Sequence, residues 1–71
     1  MRYRIGVDIG GTFTDCVVIT DGGSIFTFKE LSTPQDQSIG LYNVIEKAAA
    51  FFNMDLHAFL GGTDLFVHGT T

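Results

Sequence analysis

Residues 4 to 15 read Arg4-Ile5-Gly6-Val7-Asp8-Ile9-Gly10-Gly11-Thr12-Phe13-Thr14-Asp15. An apolar run carrying a single acidic residue, Asp8, meets two glycines, two hydroxyl residues (Thr12 and Thr14) and a second carboxylate, Asp15. Ile5, Val7 and Ile9 alternate with Gly6 and Asp8, which is the period of a strand. The branched residues agree. Gly6 leaves a space beside it, for close packing or for the approach of a ligand. Gly10 and Gly11 permit the positive φ of a tight turn. A strand ending in this way suits a turn that holds a phosphate group and a carboxylate that faces a metal ion.

Working outward, residues 14 to 20 form a second strand. Its middle is apolar on both faces, so it is expected inside the sheet. Asp21-Gly22-Gly23 signals a hairpin. Residues 24 to 30 alternate Phe26 and Phe28 with Thr27 and Lys29, which suits a strand nearer the edge. Strands joined by short turns are expected to be antiparallel neighbours. The period then changes. Thr33 is expected to cap a helix, with Pro34 at its first position and Asp36 in its first turn. Ser38 offers a second start. Leu41, Ile45, Ala48 and Phe52, flanked by Val44 and Ala49, give a helical stripe, and the helix is expected to end near Asn53. Residues 55 to 60 add one or two turns, stopped by Gly61-Gly62. Residues 63 to 68 form a last strand, expected to run parallel to the first with a right-handed crossover. The order is β-β-β-α-β: an α/β fold with a mixed sheet and a helix packed on it.

Composition narrows the function. With 71 residues the chain is at the small end for an independent core, yet it is 45% hydrophobic, with seven phenylalanines and only 17% charged residues. That composition argues against disorder and for part of a larger domain or complex. A net charge of −4 offers no basic stripe for nucleic acid. No apolar run approaches the ~20 residues of a membrane helix. The start of the chain lacks the pattern of a signal peptide. The single cysteine, Cys16, excludes an internal disulfide and fits a reducing cytoplasm. It lies in an apolar strand and reads as core.

Asp8, on a strand between Val7 and Ile9, faces a desolvation cost unless it is paired or metal-bound. It either accepts hydrogen bonds from the Gly10-Gly11 turn or holds Mg²⁺ beside a phosphate. One or two carboxylates plus phosphate and water are the usual magnesium ligands. Successive N–H groups at Gly10, Gly11 and Thr12 would form an anion-binding concavity, with the Thr12 hydroxyl as a further donor; the alternative is an ordinary glycine-rich hairpin. No Gly-Lys-Ser/Thr follows, so this is not a P-loop. The glycine spacing does not give a dinucleotide fingerprint. Asp15 reads as a partner of the metal site or as a cap closing the turn onto Thr12. Thr14 reads as a substrate-positioning hydroxyl or as one bonded to backbone. If the last strand is parallel to the first, His68, Gly69, Thr70 and Thr71 reach the same sheet edge as Gly10, where ligands of such sheets gather. His68 is a candidate base or substrate-binding group, or simply a hydrogen-bonded strand-end histidine. His57 reads as a surface residue.

Val7-Asp8-Ile9-Gly10-Gly11-Thr12-Phe13-Thr14-Asp15 resembles the opening of the hydantoinase A / 5-oxoprolinase family. The resemblance continues through Lys29, Leu31-Ser32-Thr33-Pro34 and His68-Gly69-Thr70-Thr71, and so over essentially the whole chain. Asp-Ile-Gly-Gly-Thr is shared with sugar kinases of the actin-like ATPase superfamily; Phe13-Thr14-Asp15 and the terminal motif favour the hydantoinase side. The resemblance implies a ribonuclease-H-like fold of which residues 1 to 71 are an N-terminal, incomplete part. It implies ATP and Mg²⁺ as cofactors, Asp8 as the metal-associated carboxylate, Gly10 to Thr12 as the phosphate turn, and Gly69 to Thr71 near nucleotide or substrate. Family members phosphorylate a carbonyl or lactam oxygen. Some then hydrolyse a cyclic amide, and others carboxylate a ketone such as acetone or acetophenone. The expected function is thus the phosphate-binding segment of an ATP-dependent cyclic-amide hydrolase. The alternatives are a ketone carboxylase subunit, a sugar or acyl kinase, and a non-catalytic nucleotide-binding module. The expected partners are the remainder of a larger chain or complex, in an oligomer, and a small carbonyl or lactam substrate. The segment alone is expected to be inactive, because phosphoryl transfer needs positioning from both sides.

Overall fold

The computed structural model describes residues 3–69. Its elements are β1 (Tyr3–Ile9), β2 (Phe13–Thr20), β3 (Ile25–Leu31), α1 (Gln37–Phe51), α2 (Leu56–Gly61) and β4 (Thr63–Gly69). They form one sheet in the order β3-β2-β1-β4. β1 and β2 are antiparallel, as are β2 and β3. β4 lies parallel to β1 after the helical crossover. The α/β fold with its mixed sheet is the one expected from the alternation of periods, and it is that of an actin-like ATPase partial domain. No helix among the described residues is long and apolar enough to cross a membrane.

Among the described residues, one face of this sheet is covered and the other is open. Ile5, Val7 and Ile9 of β1 and Cys16 and Val18 of β2 pack with Val44, Ile45, Ala48 and Ala49 of α1 and Phe59 of α2 in one buried core. The alanines let α1 lie close to the strands. Phe52, just past α1, extends the core sideways, its ring 5.1 Å from Tyr3 and 5.2 Å from Phe26. On the opposite face Phe66 and Ile25 remain exposed, at 63% and 65%. The expectation that β2 is interior therefore holds in the hydrogen-bonding direction. Its outer face, with Val17, is nonetheless open, because no helix among the described residues covers that side.

Two local expectations are corrected. The α1 N-cap is Asp36, not Thr33: the Asp36 carboxylate accepts the Ser38 N–H at 3.1 Å. Pro34 lies in a turn in which the Asp36 N–H donates to the Thr33 carbonyl at 2.9 Å. Proline favours that turn position for the same fixed φ that suits a helix start. The second correction concerns the glycines. Among the described residues the glycine with positive φ is Gly23, at +86° in the β2–β3 hairpin, so the 10–11 turn is made without a left-handed glycine. Asn53, at φ +59°, ends the helical segment near the expected place.

Candidate functional site

The end of β1 positions the site. Gly10 N–H donates to the Phe13 carbonyl at 3.0 Å and closes the turn into β2. Gly11 and Thr12 are exposed at its tip. A methyl group on Gly11 would meet nothing within 4 Å. Neither φ nor packing demands glycine there, which leaves open space for a ligand to come close.

The outward face beside this turn is set by strand parity and register. Asp8 pairs with Asp15 on β2 and with His68 on β4, and Asp15 pairs with Lys29 on β3. Paired residues share a face, so His68, Asp8, Asp15 and Lys29 form one polar row across all four strands. The next row contains Phe66, Gly6 and Val17. Gly6 has no neighbour within 4 Å of where a Cβ would stand. A depression of about 370 Å³ lies over these residues, with Asp8, Asp15, Phe66 and His68 on its walls. Among the described residues nothing packs closely against Gly6, and the space over it is open.

The electrostatics of the row are uneven. Asp8 and Asp15 place like charges directly opposite each other, which is unfavourable. Lys29 Nζ lies 3.8 Å from the Asp15 carboxylate, with both side chains half-exposed. It also sits 4.9 Å from the Phe13 ring centre. Such an exposed pair contributes about 0–1 kcal/mol. No basic partner for Asp8 appears among the described residues. Among those residues no group of three or more His, Cys, Asp and Glu is arranged to hold a metal by itself. The two carboxylates nonetheless fit a cation that takes its remaining ligands from phosphate and water.

The other expected site residues fall as follows. Asp15 faces the depression and Lys29, not Thr12. His68 is exposed on β4 beside Asp8, and Gly69 pairs with Ile9. Thr70 and Thr71 lie outside the described residues. Thr14 is fully buried on the helix-covered face, its hydroxyl 2.9 Å from the Ser32 hydroxyl. It supports the turn from beneath and does not face the depression. Cys16 is buried, and burial pushes its thiol up to about 11; this is a core residue and not a nucleophile. His57 is exposed on α2. Two residues were visible in the sequence only as parts of a motif. Lys29 joins the row through the hairpin register. Ser32 bonds to the turn itself, donating from Oγ to the Gly10 carbonyl at 2.7 Å. The position of Ser32, directly after a strand paired to the turn, was its only signal.

Sequence comparison matches residues 4–71 to the hydantoinase/oxoprolinase N-terminal region. The chain belongs to this family. Its relatives include the caprolactamase subunit alpha of Pseudomonas jessenii, 34% identical over 99% of this chain and 10% of that protein. The acetone carboxylase beta subunit of Xanthobacter autotrophicus is 34% identical, over 94% of this chain and 9% of that protein. The acetophenone carboxylase gamma subunit of Aromatoleum aromaticum is 36% identical, with the same coverage. A nucleotide-free acetone carboxylase structure superposes with a TM-score of 0.85 at 32% identity, covering 97% of this chain and 10% of that one. The chain therefore spans about a tenth of the length of these relatives. The family unites hydantoinase-type hydrolases with ATP-dependent ketone carboxylases inside the actin-like ATPase superfamily.

Proposed function

We propose that this chain is the N-terminal phosphate-binding segment of an ATP-dependent enzyme that phosphorylates a carbonyl-type oxygen, and that ketone carboxylation is the reaction served. The observation that carries the first part is the open Gly10-Gly11-Thr12 turn, set at one end of a sheet face where Asp8 and Asp15 stand opposite each other. The similarity to two ketone carboxylase subunits and to the acetone carboxylase structure favours carboxylation over the cyclic-amide hydrolysis first expected. The caprolactamase relative keeps lactam hydrolysis as the second reading.

In this reading Asp8, with Asp15 beside it, would hold Mg²⁺, which when bound would supply neutralisation of charge on a transferring phosphoryl group. The turn receives phosphate oxygens, Gly6 leaves room over the sheet, and His68 stands at the row's end to orient substrate or take a proton. Transfer of the γ-phosphoryl from ATP to an enolate or amide oxygen releases ADP and turns a poor reacting centre into an activated one. The remainder of a larger chain or complex, which would supply an adenosine pocket and further phosphate contacts, and a cytoplasmic setting belong to the same proposal. The test is ATP turnover by the intact protein against ketones with bicarbonate, against lactams, 5-oxoproline and hydantoins, and against sugars. Ketone- and bicarbonate-dependent turnover that Asp8→Ala lowers by about 10²-fold or more is expected. Turnover with lactams alone would favour the hydrolase, with sugars alone a kinase, and nucleotide binding without any turnover a non-catalytic module.

A further inference from the structure

Ser32 follows β3 directly and makes three bonds into the phosphate turn. Its N–H donates to the Thr12 carbonyl at 2.8 Å. Its hydroxyl donates to the Gly10 carbonyl at 2.7 Å and lies 2.9 Å from the buried Thr14 hydroxyl. A serine hydroxyl has one hydrogen. With that hydrogen on Gly10 O, the Thr14 hydroxyl donates to Ser32 Oγ.

We infer that Ser32 is the positioning residue of the phosphate turn, fixing the peptide plane between Gly10 and Gly11 so that the Gly11 N–H is presented to an anionic ligand. The reason is covalent geometry. In a planar trans peptide the Gly10 C=O and the Gly11 N–H point in opposite directions on one rigid unit. Drawing the carbonyl towards Ser32 and Thr14, on the covered side, turns the N–H away from it. On the side where a Gly11 Cβ would stand, no non-neighbouring atom of the described residues lies within 4 Å, so the outer side of this peptide is open. Two consecutive glycines would otherwise leave this peptide free to rotate.

Ser32 is itself held. Its neighbour Thr33 donates from Oγ1 to the Asp36 carbonyl at 2.6 Å and accepts the Gly40 N–H at 2.8 Å. Gly40 permits that approach, because a Cβ there would come within 3.1 Å of Thr33 Oγ1. The turn is thereby tied through Ser32 and Thr33 to the first turns of α1.

The inference rests on the reading of residues 10 to 12 as a phosphate site. Its test compares Mg·ATP and adenosine binding by the intact protein with its Ser32→Ala, Ser32→Thr and Thr14→Val variants, alongside thermal midpoints. Ser32→Ala is expected to weaken ATP binding about tenfold, the equivalent of one lost well-placed hydrogen bond, and to leave adenosine, which has no phosphates, unchanged. Ser32→Thr keeps the hydroxyl and restores ATP affinity. Thr14→Val has a smaller effect, since Ser32 can still donate to Gly10. Equal weakening of ATP and adenosine would reduce Ser32 to a structural role and overturn the inference, as would unchanged ATP affinity in Ser32→Ala. A wild-type protein that binds no ATP would overturn the functional reading, and this inference with it.

Discussion

Asp8 and Asp15 meet across two paired strands at a register that puts two negative charges side by side, and Lys29 compensates only the second of them. A protein that keeps such a pair unspaced pays for it unless a cation arrives. Gly11 makes the complementary statement about the anion. Its φ is not left-handed and its Cβ direction is empty, so Gly11→Ala should leave the thermal midpoint of the intact protein equal or slightly higher, because alanine restricts the unfolded chain more. The same substitution should weaken ATP binding, since the methyl group intrudes where a phosphate would approach. A midpoint that falls while ATP affinity holds would contradict this account of the turn. Asp8 and Gly6 were legible in the sequence through simple alternation against Ile5, Val7 and Ile9. The sequence left Thr14 open between a substrate-positioning and a backbone-bonded hydroxyl; the structure puts it on the covered face with Cys16 and Val18, beneath the turn. Ser32 was legible only as part of the Leu31-Ser32-Thr33-Pro34 motif, and its role was not, because its three bonds depend on how two separate chain segments pack.

At the scale of elements, the strands and hairpin follow from period-two patterning and Asp21-Gly22-Gly23, and only the helix start was misplaced. Thr33, Pro34, Asp36 and Ser38 all carry helix-start chemistry within six positions. The structure divides the work: Thr33 and Pro34 shape the turn that leads in, and Asp36 caps the helix. Asp36→Ala should therefore destabilise the protein by about 1 kcal/mol through loss of the cap, measured by denaturant unfolding. Had Thr33 been the cap, the change at Asp36 would leave stability nearly untouched. The outcome bears on function too, because the first turns of α1 anchor Thr33 and, through it, the Ser32 contacts to residues 10 to 12.

For the whole molecule, the sequence carried the order of elements, the parallel return of β4 and the convergence of β1 and β4 ends. It did not reveal that the described residues cover one side of the sheet and leave the other open. Val17 and Phe66 are apolar, and apolar residues on a strand read as buried whatever lies over them. Here they floor and wall the depression beside Asp8. The role of Asp8 is decided by ATP binding to the intact protein with Mg²⁺, with a chelator in place of Mg²⁺, and with Mg²⁺ after Asp8→Asn. Asparagine keeps the shape and removes the charge. The wild type should bind ATP more weakly, by about tenfold or more, once Mg²⁺ is chelated. Asp8→Asn should bind as weakly as the chelated wild type and not respond to Mg²⁺. An Asp8→Asn protein that binds ATP as tightly as the wild type, with the same response to Mg²⁺, would contradict it.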